Sequence, residues 1–186
     1  MGENKPQHIG TLSPEMALLG LLFRESGHGY DLHRKVVTDL GHVWHLSQSQ
    51  AYSILKRLEV RGDISVQEIP QEKLPPRQLL HMTDQGRKNF LEWLHSASGG
   101  STRAIRMEFL TRLYFTNMYF PAKIKQTFDQ QRVEVKSNIQ RLKKTLTEVP
   151  DEQIYNRMSL KMRLKQLRLV LEWLDESQKN FQDVRP

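Results

Sequence analysis

Between Ser47 and Ile69 the hydrophobic period changes once, at Gly62, and no other stretch of the chain constrains its local fold as tightly. Before the change, Ala51, Ile54, Leu55 and Leu58 recur at steps of three and four, which predicts a short helix with one buried face. Ser47 and Gln50 form an S-x-x-Q pair at its start, the pattern in which each side chain satisfies a backbone donor of the other. After the change, Asp63-Ile64-Ser65-Val66-Gln67-Glu68-Ile69 alternates apolar and polar residues with β-branched types, which predicts a strand. Pro70 to Pro76 reads as a loop, and Arg77-Gln78-Leu79-Leu80-His81-Met82 as a returning strand.

The flanks complete a pattern. Ser13-Pro14 opens an apolar helix carrying Met16, Leu18, Leu19, Leu21, Leu22 and Phe23, with Gly27 and Gly29 as its expected end. A second helix is expected from Tyr30 to Leu40, with Leu32, Val36 and Val37 inward and Gly41 as its stop. Trp44 and Leu46 precede the Ser47 helix and should pin its entry. Thr83 caps a further helix through His95, with Phe90, Leu91 and Leu94 at core spacing. Helix, helix, helix, hairpin, helix is the plan of a winged helix-turn-helix, in which the third helix is offered to a DNA major groove.

The outward face of that third helix holds Ser49, Gln50, Ser53, Lys56 and Arg57, with no carboxylate before Glu59. Small polar and basic side chains on an exposed helix reach phosphates and base edges. Ser49, Gln50 and Ser53 are therefore the base-reading candidates. Lys56, Arg57 and, on the hairpin, Lys73 and Arg77 are the phosphate candidates. Gln50 has two readings, since the cap and an adenine would compete for its amide, and Ser47, at the helix start with it, is also a DNA-binding candidate.

The formal net charge of +7 is a poor guide. Residues 1–98 carry 11 basic and 11 acidic side chains, and the whole excess lies in residues 99–186. The chain has no cysteine, which excludes disulfides and thiolate metal sites. No apolar run reaches a membrane span, and the N-terminal residues lack the apolar core of a signal peptide, so a soluble, cytoplasmic protein is expected.

Ser96-Ala97-Ser98-Gly99-Gly100-Ser101-Thr102 reads as a flexible linker between a DNA-binding domain over 1–95 and a helical domain over 103–186. In the second domain, Arg103 to Phe120 is expected to be helical, with Pro121 as a break. A long helix should follow from Ala122 to Glu148, where Phe128, Val135, Leu142 and Val149 repeat every seven residues. A last helix after Pro150-Asp151 carries Leu160, Leu164, Leu167, Leu171 and Leu174, a heptad seam assigned to dimerisation. A second stripe of Met158, Met162, Leu169 and Trp173 lies beside that seam, so the helix is expected to meet two neighbours: the preceding helix, antiparallel, and a second copy of the chain.

Leu18-Leu19-Gly20-Leu21-Leu22, His28-Gly29-Tyr30-Asp31-Leu32, Gln50-Ala51-Tyr52, Leu55-Lys56-Arg57-Leu58-Glu59, Arg61-Gly62 and Met82-Thr83-Asp84-Gln85-Gly86-Arg87 resemble, in order and spacing, the PadR family of transcriptional regulators. The helical second half resembles that family's longer-tailed branch by architecture. The resemblance implies a winged-helix homodimer joined through C-terminal helices, usually a repressor, with some members responding to small planar or aromatic compounds. By position it places Tyr30, Tyr52 and Lys56 near DNA. Family members often have Pro where this chain has Ser53, and many have a Gly- or Arg-rich wing tip where this chain has Gln71-Glu72-Lys73-Leu74-Pro75-Pro76. Glu68 and Glu72 would repel phosphates there.

Other constellations are weaker. Trp93, Tyr114, Phe115, Tyr119 and Trp173 suit either a pocket for a flat apolar effector between the domains or ordinary packing. Arg103 and Arg106 suit either an acidic effector or solvent. His42-x-x-His45 lacks a third ligand, so no metal and no cofactor are expected. No nucleophile elbow, P-loop or dinucleotide fingerprint is present, so the reading is not an enzyme. The expected protein is mainly α: a sequence-specific, homodimeric DNA-binding regulator of a pseudo-palindromic operator. A winged-helix protein–protein module and an effector-independent DNA binder are the alternatives.

Overall fold

The computed structural model describes residues 12–70 and 76–183. The chain forms two compact units that meet in sequence at Trp93 and Leu94. The first holds α1 (Glu15–Leu21), α2 (Gly29–Leu40), α3 (Gln48–Val60), β1 (Ile64–Ile69), β2 (Arg77–Met82) and most of α4 (Asp84–His95). β1 and β2 pair antiparallel, from Ile64 opposite Met82 to Ile69 opposite Arg77. Among the described residues the element order is that of a winged helix-turn-helix.

The core of this unit is built from Leu18, Leu19, Val36, Ala51, Leu58, Ile64 and Phe90, all essentially sealed from solvent. Trp44 and Leu46 are buried just before α3 and hold its entry. Two expectations need correction here. Gly29 does not end the first helix; it is the first residue of α2, and α1 ends at Leu21. A Cβ on Gly29 would lie 3.1 Å from Tyr52 and 3.2 Å from Leu55, so glycine lets α2 start close against α3. Val37 is exposed rather than inward, because it lies a full 100° round the helix from Val36.

One corner fixes how α3, the hairpin and α4 meet. Gly62 turns the chain with φ of +77°, a conformation natural to glycine. Asp63 is buried; its carboxylate accepts hydrogen bonds from Arg61 at 2.8 Å and Asn89 at 2.7 Å. The Thr83 hydroxyl donates to the Gly62 carbonyl at 2.6 Å and accepts the Gly86 N–H at 3.0 Å, capping α4 against the turn. The wing is also anchored at Gly27, which exchanges both backbone hydrogen bonds with Leu80, at 3.1 and 2.9 Å.

The second unit holds α5 (Thr102–Ala104), a π-helical turn (Ile105–Phe109), α6 (Leu110–Tyr119), a short 3₁₀ turn (Pro121–Lys123), α7 (Ile124–Glu148) and α8 (Ile154–Asp183). α7 and α8 lie antiparallel. Arg132 near the start of α7 pairs with Asp175 late in α8, while Arg157 early in α8 donates to the Val149 carbonyl at 2.6 Å. Ile105, Phe109, Phe128, Val135, Ile139 and Leu142 pack with Leu160, Leu164, Leu167 and Leu174 into one core, with Leu171 partly buried against it. The leucine seam assigned to dimerisation is thus spent inside the chain, because α7 covers it.

The segment read as a flexible linker is tied down at two points. Ser98 is buried, and its N–H and hydroxyl both donate to the Gln131 side chain, at 3.0 and 2.8 Å. Asn138 donates to the Gly100 carbonyl at 2.5 Å. Small residues serve there to let the backbone approach α7, not to leave it loose.

Candidate nucleic-acid interface

α3 is held from behind and open in front. Ala51, Ile54, Leu55 and Leu58 are buried, and Ser49, Gln50, Tyr52, Ser53, Lys56 and Arg57 are exposed. The capping box forms: the Gln50 N–H donates to the Ser47 hydroxyl at 3.2 Å, and the Ser47 N–H to the Gln50 side-chain oxygen at 2.9 Å. The Gln50 oxygen is therefore occupied at the helix start. Ser53 donates its hydroxyl to the Ser49 carbonyl at 3.0 Å, which keeps the side chain low on the helix and the face shallow. Ser49 itself lies 3.1 Å from the Ser47 hydroxyl.

The cations differ in their surroundings. Lys56 reaches Glu59 at 2.9 Å, but its side chain is 72% exposed and the pair lies on one helix surface. Arg57 turns toward α1, where it meets Glu15 at 3.1 Å; the Glu15 side chain is only 11% exposed. Arg61 donates to the other Glu15 oxygen at 2.8 Å and also bonds Asp63. Burial alone would lower the Arg61 pKa, but the hydrogen bonds of Glu15 and Asp63 outweigh it and the pKa is raised. Sequence reasoning missed this cluster, because no periodicity links Glu15 to arginines more than 40 residues away.

On the other flank of α3, a groove of about 680 Å³ runs between the start of α2 and the wing. Its lining includes Tyr30, Tyr52, Lys56, Arg77 and Gln78, so the structure brings together residues that lie far apart in sequence. His28 Nδ1 lies 2.8 Å from the Gln78 carbonyl and fastens the wing to the α2 start. Tyr30 is half exposed, with the Arg34 guanidinium 5.8 Å from its ring centre. Lys73 lies outside the described residues.

Each aromatic candidate packs on a ring of its own unit. Phe115 and Tyr119 are buried with their rings stacked at 5.9 Å, so those faces are covered. Tyr114 packs edge-on to Phe115 at 5.0 Å. Trp173 sits edge-on to Phe109 at 6.1 Å, and Arg103 is exposed. Trp93, in the first unit, packs on Phe90 at 5.9 Å. Among the described residues no group of three His, Cys, Asp or Glu side chains is placed to hold a metal, and no helix is long and apolar enough to cross a membrane.

An exposed third helix, rigidly seated and flanked by an anchored hairpin, defines a winged helix-turn-helix module of the regulator type. Residues 18–92 match the model of the transcriptional regulator PadR-like family, and residues 105–182 match that of the virulence activator alpha C-term family. Over residues 18–92 the chain is therefore similar to the PadR-like transcriptional regulators. It is similar to the negative transcriptional regulator PadR of Bacillus subtilis (strain 168), with 27% identity over 117 residues. That match spans 62% of this chain and 63% of the relative. Among solved structures it is similar to Bacillus subtilis PadR in complex with operator DNA: 21% identity, TM-score 0.46, covering 92% of this chain and 97% of the other. It is also similar to the PadR-like regulator BC1756 of Bacillus cereus: 20% identity, TM-score 0.42, covering 97% of this chain and 99% of the other.

Proposed function

We propose that this protein is a sequence-specific DNA-binding repressor that acts as a homodimer and is released by a small planar or aromatic effector. The observation that carries the DNA reading is the outward face of α3. It is shallow, polar and basic, and is held by four buried side chains and a capping box. Ser49 and Ser53 read base edges, with Gln50 joining them when its cap opens, and Lys56, Tyr52, Tyr30 and Arg77 meet the backbone beside them. A relative named as a negative regulator supports repression.

The dimer contact is reassigned from the leucine seam to the second stripe of α8. Tyr155, Met158, Met162 and Leu169 are 86%, 61%, 62% and 62% exposed, and share one helix face at steps of three, four and seven. A row of large apolar side chains left in water is what a second copy covers.

A gel shift with the DNA upstream of the protein's own gene tests the reading. A retarded band that resists excess mixed-sequence competitor and is lost with Ser49→Ala/Ser53→Ala/Lys56→Ala is the expected result. A folded wild-type protein that retards no DNA contradicts it. Quenching of tryptophan fluorescence by planar aromatic acids, with loss of the shifted band, is expected of the effector; no quenching and an unchanged band would remove it from the proposal.

A further inference from the structure

The two cations of α3 are held by carboxylates of different kinds. Glu59 is partly exposed and its pair with Lys56 is a surface pair of little worth, so a phosphate displaces it readily. Glu15 is buried in the first turn of α1, among Met16, Ala17, Leu18 and Leu19. Each of its oxygens takes one guanidinium, Arg57 on one and Arg61 on the other. Withdrawing Arg57 would leave a desolvated carboxylate with half its partners, which opposes the move.

We infer that Glu15 is a specificity-determining residue: it acts as an internal stand-in for phosphate and keeps Arg57 out of the set of DNA contacts. The chain thereby keeps the sequence-blind part of its affinity low. Every phosphate engaged by a cation adds about 0.9 to the slope of log affinity against log salt and strengthens binding to all sequences alike. A recognition helix with one releasable cation and one withheld cation depends more on its base-reading serines. The neutrality of residues 1–98 has the same effect across the whole domain.

The inference rests on the DNA-binding reading, and one experiment separates the two. A fluorescein-labelled duplex of mixed sequence is titrated by anisotropy with the full chain over a range of sodium chloride. The proteins are wild type, Glu15→Gln, Arg57→Ala and the double variant. In Glu15→Gln the new amide oxygen would still accept a hydrogen bond from Arg61, which also keeps Asp63, so the fold has support without the charge. Arg57→Ala is expected to leave the wild-type slope unchanged. Glu15→Gln is expected to steepen it by about 0.9 per protomer and to tighten mixed-sequence binding several-fold, and adding Arg57→Ala is expected to restore the original slope. A merely structural role for Glu15 would weaken binding without steepening the slope. Equal slopes for wild type and Glu15→Gln, or a wild-type slope that falls by about 0.9 with Arg57→Ala, would overturn the inference. Should Glu15→Gln fail to fold, the Arg57→Ala slope alone decides. A wild type that shows no salt-dependent binding at all contradicts the DNA reading itself.

Discussion

Replacing Gly86 with Ala is the sharpest single perturbation of the winged-helix unit. Gly86 lies in the first turn of α4 against the Gly62-Asp63 turn, and a Cβ there would stand 2.0 Å from the Asp63 carbonyl oxygen. Side chains do not approach backbone closer than 3.0 Å, so α4 must retreat by about 1 Å. That retreat strains the Thr83 hydroxyl bond to Gly62 at 2.6 Å, the Thr83 N–H bond to Asp63 at 3.1 Å and the Asn89 bond to the buried Asp63 carboxylate. Overpacking costs roughly 1–3 kcal/mol, and each weakened hydrogen bond about 1 kcal/mol. Alanine's better helix propensity returns about 1 kcal/mol. The net loss is about 3–5 kcal/mol.

Urea unfolding in a Trp173→Phe background measures that loss, because Trp44 and Trp93 then report the first unit alone. This matters because two units need not unfold together. Gly62→Ala is the internal comparison: its Cβ meets open space, and only the positive φ penalises it, by about 1–2 kcal/mol. Gly86→Ala within about 0.5 kcal/mol of wild type, or milder than Gly62→Ala, would refute the close-contact reasoning.

Three further outcomes are expected. Met158→Glu with Met162→Glu should give a folded monomer in sedimentation at micromolar concentration, while Leu164→Ala should instead lower stability by about 2–5 kcal/mol, since it opens the intramolecular core. A dimer that survives the methionine pair would move the interface elsewhere. The His95 pKa is lowered, first by burial and then by Lys123, whose ammonium lies 3.3 Å from Nε2. Its stabilising contribution is whole above the usual histidine value near 6.5 and is lost as pH falls through the depressed folded value, so His95→Gln should flatten the acid limb of stability against pH. An unchanged acid limb would mean that His95 titrates as it does when unfolded.

The elements of this fold were legible wherever a local pattern carried them. The period change at Gly62, the S-x-x-Q start and the Thr83 cap are each written within a few residues, and each reappears as a hydrogen bond. What the sequence could not show was partnership at long range. Gly29 looks like a helix stop in the one-dimensional chain, yet it starts α2, and the proximity of Tyr52 and Leu55 explains why a glycine stands there. The leucine heptad signals a partner helix but not whose, and α7 claims it before any second copy can. Ser98 and Gly100 have the composition of a linker, yet Gln131 and Asn138 reach them from α7. Arg57 has the credentials of a phosphate contact until Glu15 is found beside it. The face of α3 was legible in composition, but the difference between its two cations was not.

The central claim is that Lys56, exposed on that face, contacts the DNA backbone. Measured by anisotropy over a salt range on operator and mixed-sequence duplexes, Lys56→Ala should weaken binding to both by a similar factor and reduce the log–log salt slope by about 0.9 per protomer. Unchanged affinity and slope in a folded Lys56→Ala protein would contradict the docking of α3 on DNA.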